Sequence, residues 1–255
     1  MTATPEIPAP KAKIAWVTGA AQGIGKAICA RLLSEGVFVI GMDQNPIAVD
    51  HVSDSIIFDI SDPEATLKAA DALLSRYAAP HYIVHAAGIF IEGSGETLSL
   101  ESWDRLFAVN VTGPFNLIKA ALPALHIAQR GAIVLIGSNA AHIPRLGMLG
   151  YAASKAALAA LGRGLALEMA PHHVRCNIVS PGSTDTEMQR RLWKPGFGAA
   201  DVVRGAPNAF RLGVPLGKIA TVEDIADITM FLLSDRAGHI TMQDIVVDGG
   251  ASLGA

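Results

Sequence analysis

Along most of the chain, short apolar runs alternate with longer segments whose apolar positions recur at helical spacing. Residues 14–17, 37–42, 55–58, 81–84, 133–136 and 174–179 have the short length and β-branched enrichment of buried strands. Helices are predicted after the glycines at 19–25 up to Glu35, over 63–77, and from about Ser102 past Gly113 and Pro114 to Ala128, with Asn110 near the middle. The longest opens at Tyr151, where an Ala- and Leu-rich composition without internal Pro suits a helix of about five turns. Strands alternating with helices of this length need crossover connections, so the pattern predicts an α/β fold with a doubly wound parallel sheet. Ligands of such sheets gather at the carboxyl ends of the strands, where Gly19, Asp43, Asp59, Gly88 and Ser138 fall.

Nothing in the 255 residues reads as a linker, so residues 13–255 are expected to form one Rossmann-type domain. The Pro-rich residues 1–12 lack both a basic leader and an apolar core of signal-peptide length, and read as a flexible tail. Hydrophobic residues make up 51% of the chain, which asks for a sheet covered on both faces and for buried subunit contacts besides. The helix from Tyr151 fits this, being apolar nearly all round at Ala156, Ala157, Leu158, Ala160, Leu161, Leu165 and Leu167. Gly162 and Gly164 weaken it by about 1 kcal/mol each relative to Ala, which suggests close helix packing. A net charge of −3 gives no reason to expect nucleic acid or an anionic membrane as partner. No segment approaches a transmembrane span, and Cys29 and Cys176 read as buried free thiols of a reducing compartment, so a cytoplasmic location is expected. His142, His172, His173 and His239 show no ligand spacing, so no metal is expected.

Candidate chemistry clusters at the strand ends. Gly19, Gly23 and Gly25 stand at a strand-to-helix junction, where glycines admit a pyrophosphate to the helix N-terminus. Asp43, eighteen residues after Gly25, can accept both ribose hydroxyls of an adenosine and would repel a 2′-phosphate, which favours NAD over NADP. The plainer reading is that Asp43 starts a turn with Gln44, Asn45 and Pro46. Tyr151 and Lys155, at i and i+4, share a helix face near Ser138. A phenol titrates near ~10; a cation at roughly 4 Å in an effective dielectric of about 20 would favour its phenolate by about 4 kcal/mol, or about three pKa units. Tyr151 then becomes a general base, with Ser138 donating a hydrogen bond to the substrate oxygen. Taken alone, a Tyr-x-x-x-Lys arises by chance in many helices.

The Gly19-x3-Gly23-x-Gly25 loop, Ala86-Ala87-Gly88, Asn110, Ser138, Tyr151-x3-Lys155 and Pro181-Gly182 stand in the order and spacing of the short-chain dehydrogenase/reductase family, and the resemblance runs from Lys13 onward. It implies Tyr151 as the proton-transferring residue, Ser138 as anchor of the substrate oxygen and Asn110 as holder of a relay water. Lys155 would lower the tyrosine pKa and bind the nicotinamide ribose. Gly19, Gln22, Gly23, Ile24, Gly25, Asp43, Ala87 and Gly88 would contact the cofactor, Asp59 and Ile60 would flank the adenine, and Pro181, Thr184 and Thr186 would meet the carboxamide and pyrophosphate. His85 departs from the pattern, since the family usually has Asn before Ala-Ala-Gly; the resemblance gives it an altered structural contact and no catalytic role.

Within the family, residues 140–158, 174–193, 212–235 and 239–255 resemble members that oxidise a carboxylated cyclohexadiene diol to a catechol acid with NAD, in siderophore biosynthesis. Agreement in the loop at about 183–212 weighs most, because it covers the substrate and closes as a lid. An anionic substrate asks for a cation: Arg145, or Arg190 or Arg191 in its place, is expected to pair with the carboxylate, unless these are surface or interface residues. Met148, Met188 and Leu192 would wall a flat ring, or simply pack. The resemblance also implies a homotetramer, with the helix from Tyr151 at one interface and residues 243–255 near a second. Two other readings stay open: a short-chain enzyme for another cyclic alcohol or a 3-oxoacyl group, and a non-catalytic NAD-binding regulator.

Overall fold

Seven short strands carry the fold: β1 (Ile14–Thr18), β2 (Phe38–Asp43), β3 (Asp54–Ile57), β4 (Tyr82–His85), β5 (Gly131–Ile136), β6 (Val174–Pro181) and β7 (Asp244–Val247). In the computed structural model, which describes residues 12–193 and 195–254, they form one sheet of order β3-β2-β1-β4-β5-β6-β7, every pair parallel. The expected tail over 1–12 lies, Ala12 apart, outside the described residues. Direction of winding reverses between β1 and β4, which opens a crevice beyond their carboxyl ends.

Alternation of side chains along the central strands divides the core in two. Ile14 and Trp16 of β1 face helices α2 (Pro63–Arg76), α4 (Gly113–Ala128) and α5 (Leu149–Met169), packing with Leu73, Leu117 and Leu158. Ala15 and Val17 face α1 (Gly23–Ser34) on the other side of the sheet, with Ile28 and Leu32, and with Ile225 and Leu232 of a further helix over Val222–Leu233. Burial on both faces explains why β1 reads as a continuous apolar run. Cys29 and Cys176 are free and buried, as expected.

Three differences from the sequence reading matter for the site. The helix expected from about Ser102 begins at Leu100, as α3 (Leu100–Phe107), and passes through a π turn, Ala108–Thr112, before α4. Pro114 has no N–H to return to Asn110, so the regular ladder is interrupted here, and π turns accommodate such a break. The long helix starts at Leu149, two residues ahead of Tyr151. Its two glycines also part company: a Cβ on Gly162 would meet Leu135 Cδ1 at 2.9 Å on the sheet, whereas Gly164 faces open space. The segment 183–212 contains two short helices, α6 (Glu187–Arg190) and α7 (Ala199–Arg204). Neither β7 nor the helix Val222–Leu233, here α8, is among the elements the pattern predicted. Among the described residues no helix is long and apolar enough to cross a membrane.

Candidate active site

The first glycine loop is shaped by contact with its own sheet. A Cβ on Gly25 would lie 2.1 Å from the Gly19 carbonyl, and one on Gly19, whose φ is +70°, would lie 2.6 Å from Ala87 N. Only glycine fits either position, and the turn is thereby drawn tight against β4. The cap residue of α1, Gln22, makes no side-chain cap, so the amides of the first turn remain open to the crevice. A cavity of about 180 Å³ follows, lined by Gly19, Gln22, Gly23, Ile24, Gly25, Asp43, Asp59, Ile60, Ala87, Gly88 and Thr186. Asp43 accepts from Ala21 N at 3.1 Å and from Asn45 N at 2.9 Å, so it both starts the turn and presents its carboxylate at the end of β2. Arg105, also in this lining, is held by Asp59 at 2.9 Å. Glycine walls, an open helix N-terminus and a carboxylate at the second strand suit a dinucleotide.

A second cavity of about 570 Å³ continues from the first across Ile24, Gly88, Thr186 and Met188. Ser138, Tyr151 and Lys155 line it, as do Arg145, Met148, Pro181, Thr184 and Leu192. Ser138 follows the end of β5 and caps a 3-10 turn: its oxygen accepts from Ala140 N at 3.1 Å, and its hydroxyl proton faces the Tyr151 oxygen. The Tyr151 ring meets Phe90 edge-on at 5.1 Å between centroids. Burial raises the phenol above its ordinary value, opposed by the hydrogen bond from Ser138 and the charge of Arg145. Lys155 corrects the expectation placed on it. Its ammonium donates to the Ile136 carbonyl at 2.9 Å and lies 5.9 Å from the centre of the Tyr151 ring. Burial lowers Lys155 to about 8, and the cation that favours the phenolate is Arg145.

Arg190 is also corrected. It forms a two-point ion pair with Asp185, at 2.7 and 2.8 Å, and does not line either cavity; Arg191 makes a single contact, from Nη2 to Glu187 Oε1, and likewise lines neither. Arg145 Nη1 instead donates to Asn139 Oδ1 at 2.7 Å, and Asn139 Nδ2 to Asp248 Oδ2 at 3.0 Å. The lining residues outside the sequence reading include Arg211 and Trp193, whose buried indole N–H has no partner among the described residues.

Comparison with known proteins bears on all of this. The family described as Enoyl-(Acyl carrier protein) reductase matches residues 19–252. The 2,3-dihydro-2,3-dihydroxybenzoate dehydrogenase of Escherichia coli (strain K12) is 45% identical over 95% of this chain and 98% of its own length. That of Bacillus subtilis (strain 168) is 42% identical over 95% and 97%. Among solved structures, aldohexose dehydrogenase from Thermoplasma acidophilum superposes with a TM-score of 0.87 at 30% identity, covering 96% of this chain and 95% of that one. This chain belongs to the short-chain dehydrogenase/reductase family.

Two further buried positions of this short-chain dehydrogenase frame the crevice from behind. Asn110 is fully buried and lines neither cavity. Its amide exchanges both hydrogen bonds with Ile89, accepting from N at 2.9 Å and donating to O at 3.1 Å, and donates to Ser154 Oγ at 3.0 Å. Ser154 donates in turn to the Tyr151 carbonyl, so the Asn110 side chain ties the strand-β4 turn to helix α5. His85 lies behind the glycine loop. Thr18 Oγ1 accepts from Ala86 N and Ala87 N at 3.2 Å each and keeps one proton, which it donates to His85 Nδ1 at 2.9 Å. The imidazole proton therefore sits on Nε2, which is buried without a partner. Burial, and then the charge of Lys155, lower His85 to about 3, so it is a neutral structural group. Among the described residues no three His, Cys, Asp or Glu side chains converge as metal ligands would.

Proposed function

We propose that this enzyme oxidises 2,3-dihydro-2,3-dihydroxybenzoate to 2,3-dihydroxybenzoate with NAD⁺, in the biosynthesis of catechol siderophores, as a cytoplasmic homotetramer. The observation that carries the substrate is the near end-to-end similarity to the Escherichia coli and Bacillus subtilis enzymes of that name. Asp43 supports NAD over NADP, since a 2′-phosphate at the end of β2 would meet its carboxylate while the nearest guanidinium, Arg105, is engaged by Asp59.

Bound NAD⁺ supplies the acceptor for a hydride. Everything else falls to the chain. Gly19, Gln22, Gly23, Ile24, Gly25, Asp59, Ile60, Ala87 and Gly88 would hold the adenosine and pyrophosphate side, and Pro181, Thr184 and Thr186 the nicotinamide side. Ser138 would turn its proton from Tyr151 to the substrate hydroxyl oxygen. Tyr151, as phenolate, takes the hydroxyl proton as the adjacent carbon loses hydride, leaving a ketone within the ring. Tautomerisation moves the remaining ring proton and restores aromaticity, which makes the oxidation strongly favourable. Lys155, which lines the same cavity, would bind the ribose; Asn110 keeps the helix of Tyr151 and Lys155 in register with the β4 turn. Arg145 pairs with the substrate carboxylate, and Met148 and Met188 wall the ring.

The test is cofactor reduction by the purified protein, offered the dihydrodiol acid with NAD⁺ and in parallel with NADP⁺, while the fluorescence of the catechol acid is followed. Rapid turnover with NAD⁺ and little with NADP⁺ is expected. Binding of NAD⁺ without turnover of this substrate would move the assignment to another cyclic alcohol.

A further inference from the structure

Most arginines of the described chain are neutralised in place: Arg31, Arg76, Arg105, Arg163, Arg190, Arg191 and Arg204 each stand within 4.0 Å of a carboxylate. Of the five without such a partner among the described residues, Arg130, Arg175 and Arg236 line neither cavity, whereas Arg145 and Arg211 both line the one that holds Ser138 and Tyr151. Two unpaired cations at one cavity are an arrangement that folding alone does not favour. Burial, and then the nearby charge of Arg211, lower the Arg145 guanidinium below its ordinary value. The acids around the cavity are committed elsewhere. Asp248 is engaged by Ser252, Asn139 and Gly250; Asp201 caps α7 and pairs with Arg204; Glu92 lies against Gly147 and reaches neither guanidinium.

The two arginines are also mounted differently. Arg145 is fixed from behind by the chain Asp248–Asn139, a neutral amide that orients it without cancelling its charge. Arg211 is exposed at the cavity mouth and stands on a small hairpin closed by reciprocal bonds between Ala206 and Arg211, at 2.9 and 3.0 Å. At the base of that hairpin Gly205 and Gly213, with φ of +81° and +89°, lie back to back, a Cβ on Gly205 falling 2.5 Å from Gly213 N. A side chain at either would push the hairpin, and Arg211 with it, away from the cavity.

We propose that Arg211 is the second arm of a two-arginine subsite for the substrate carboxylate, closing on the oxygen that Arg145 leaves free, and that it sets the preference for a carboxylated over an uncharged ring. This rests on the function proposed above and adds a specificity-determining residue to it.

Calorimetric binding of 2,3-dihydroxybenzoate and of catechol to the full chain with NAD⁺ present separates the carboxylate from the rest of the ligand. In wild type the acid binds more tightly, and the ratio of the two dissociation constants falls with added salt. In Arg211→Gln that ratio drops by about tenfold or more, the scale of one lost charge-assisted hydrogen bond, and Arg211→Lys restores part of it. An unchanged ratio in Arg211→Gln, with catechol still bound, overturns the proposal. Turnover assays on the same preparations keep the two readings apart: an intact arginine-dependent ratio with no oxidation of the dihydrodiol acid overturns the function and leaves the subsite standing.

Discussion

At the scale of single residues, the Tyr151 phenol feels burial first, then Ser138, and then a cation, Arg145, that the Tyr-x-x-x-Lys pattern does not contain. Arg145 lowers Tyr151 while burial raises it, so Arg145→Ala is expected to move the alkaline rise of kcat/KM to higher pH, apart from any loss of substrate affinity. A pH profile measured with saturating NAD⁺ checks this; a profile displaced downward or unmoved contradicts it. His85 gives a prediction about stability instead. Its folded pKa of about 3 lies below the ordinary 6.5, so the unfolded chain binds the proton first. Its contribution is therefore complete above about pH 6.5 and is lost as pH falls toward 3, with a limiting slope of about 1.4 kcal/mol per unit. Wild type should lose more stability than His85→Asn between pH 6.5 and 4 in denaturant titrations. That Ser138 and Tyr151 meet at one cavity was legible in the sequence because it follows from a strand end and a helix start. The direction of Lys155 was not, since i and i+4 spacing fixes a helix face and leaves open which carbonyl a four-carbon chain will reach. Arg211 was hidden for a similar reason: only the hairpin pairing of Ala206 and Arg211 turns it toward the cavity.

At the scale of elements, the glycine loop is the most sharply specified piece. Gly25→Ala would place a methyl group 2.1 Å from a backbone oxygen, which cannot swing aside as a side chain would. The loop must open, and NAD⁺ affinity is expected to fall by about tenfold or more, with about 1–3 kcal/mol of stability, the usual range for overpacking. Equilibrium binding and thermal melts of the variant check both. Strands β1, β2, β4, β5 and β6 and helices α1, α2 and α5 were legible because their periodicity is clean and their flanks are marked by Gly, Asp or Pro. The break between α3 and α4 was not: an apolar stripe passes through a π turn with little change, and Pro114 was compatible with a continuing helix. Strand β7, four half-buried residues at the sheet edge, carries too short a pattern to separate from a loop. Helix α8 reads as a nearly unbroken apolar run, Ile225–Leu233 being interrupted by little besides Asp227 and Thr229, so its period is masked.

At the scale of the whole molecule, α5 presents Ala156, Ala160, Gly164 and Leu167 outward beside Arg163 and Glu168, on a face the chain itself leaves exposed. A homotetramer that closes on this face would bury them. Leu167→Glu is then expected to reduce the assembly to smaller species in light scattering after gel filtration, with the secondary structure of each protomer retained; an unchanged mass would place the interface elsewhere. The reversal of winding between β1 and β4 has a further bearing. Ala15 pairs with Tyr82, 67 positions later in the chain, so the seam under the crevice joins two halves that are assembled separately along the sequence. Neither half owns the dinucleotide site: Gly19, Asp43 and Asp59 come from one, Ala87, Gly88 and Thr186 from the other. A ligand that spans the seam binds only the docked state, and at a hundredfold excess over its dissociation constant it adds about 2.7 kcal/mol to holding the halves together. A dinucleotide bound there would thus act as a mechanical tie across the β1–β4 seam as well as a reactant.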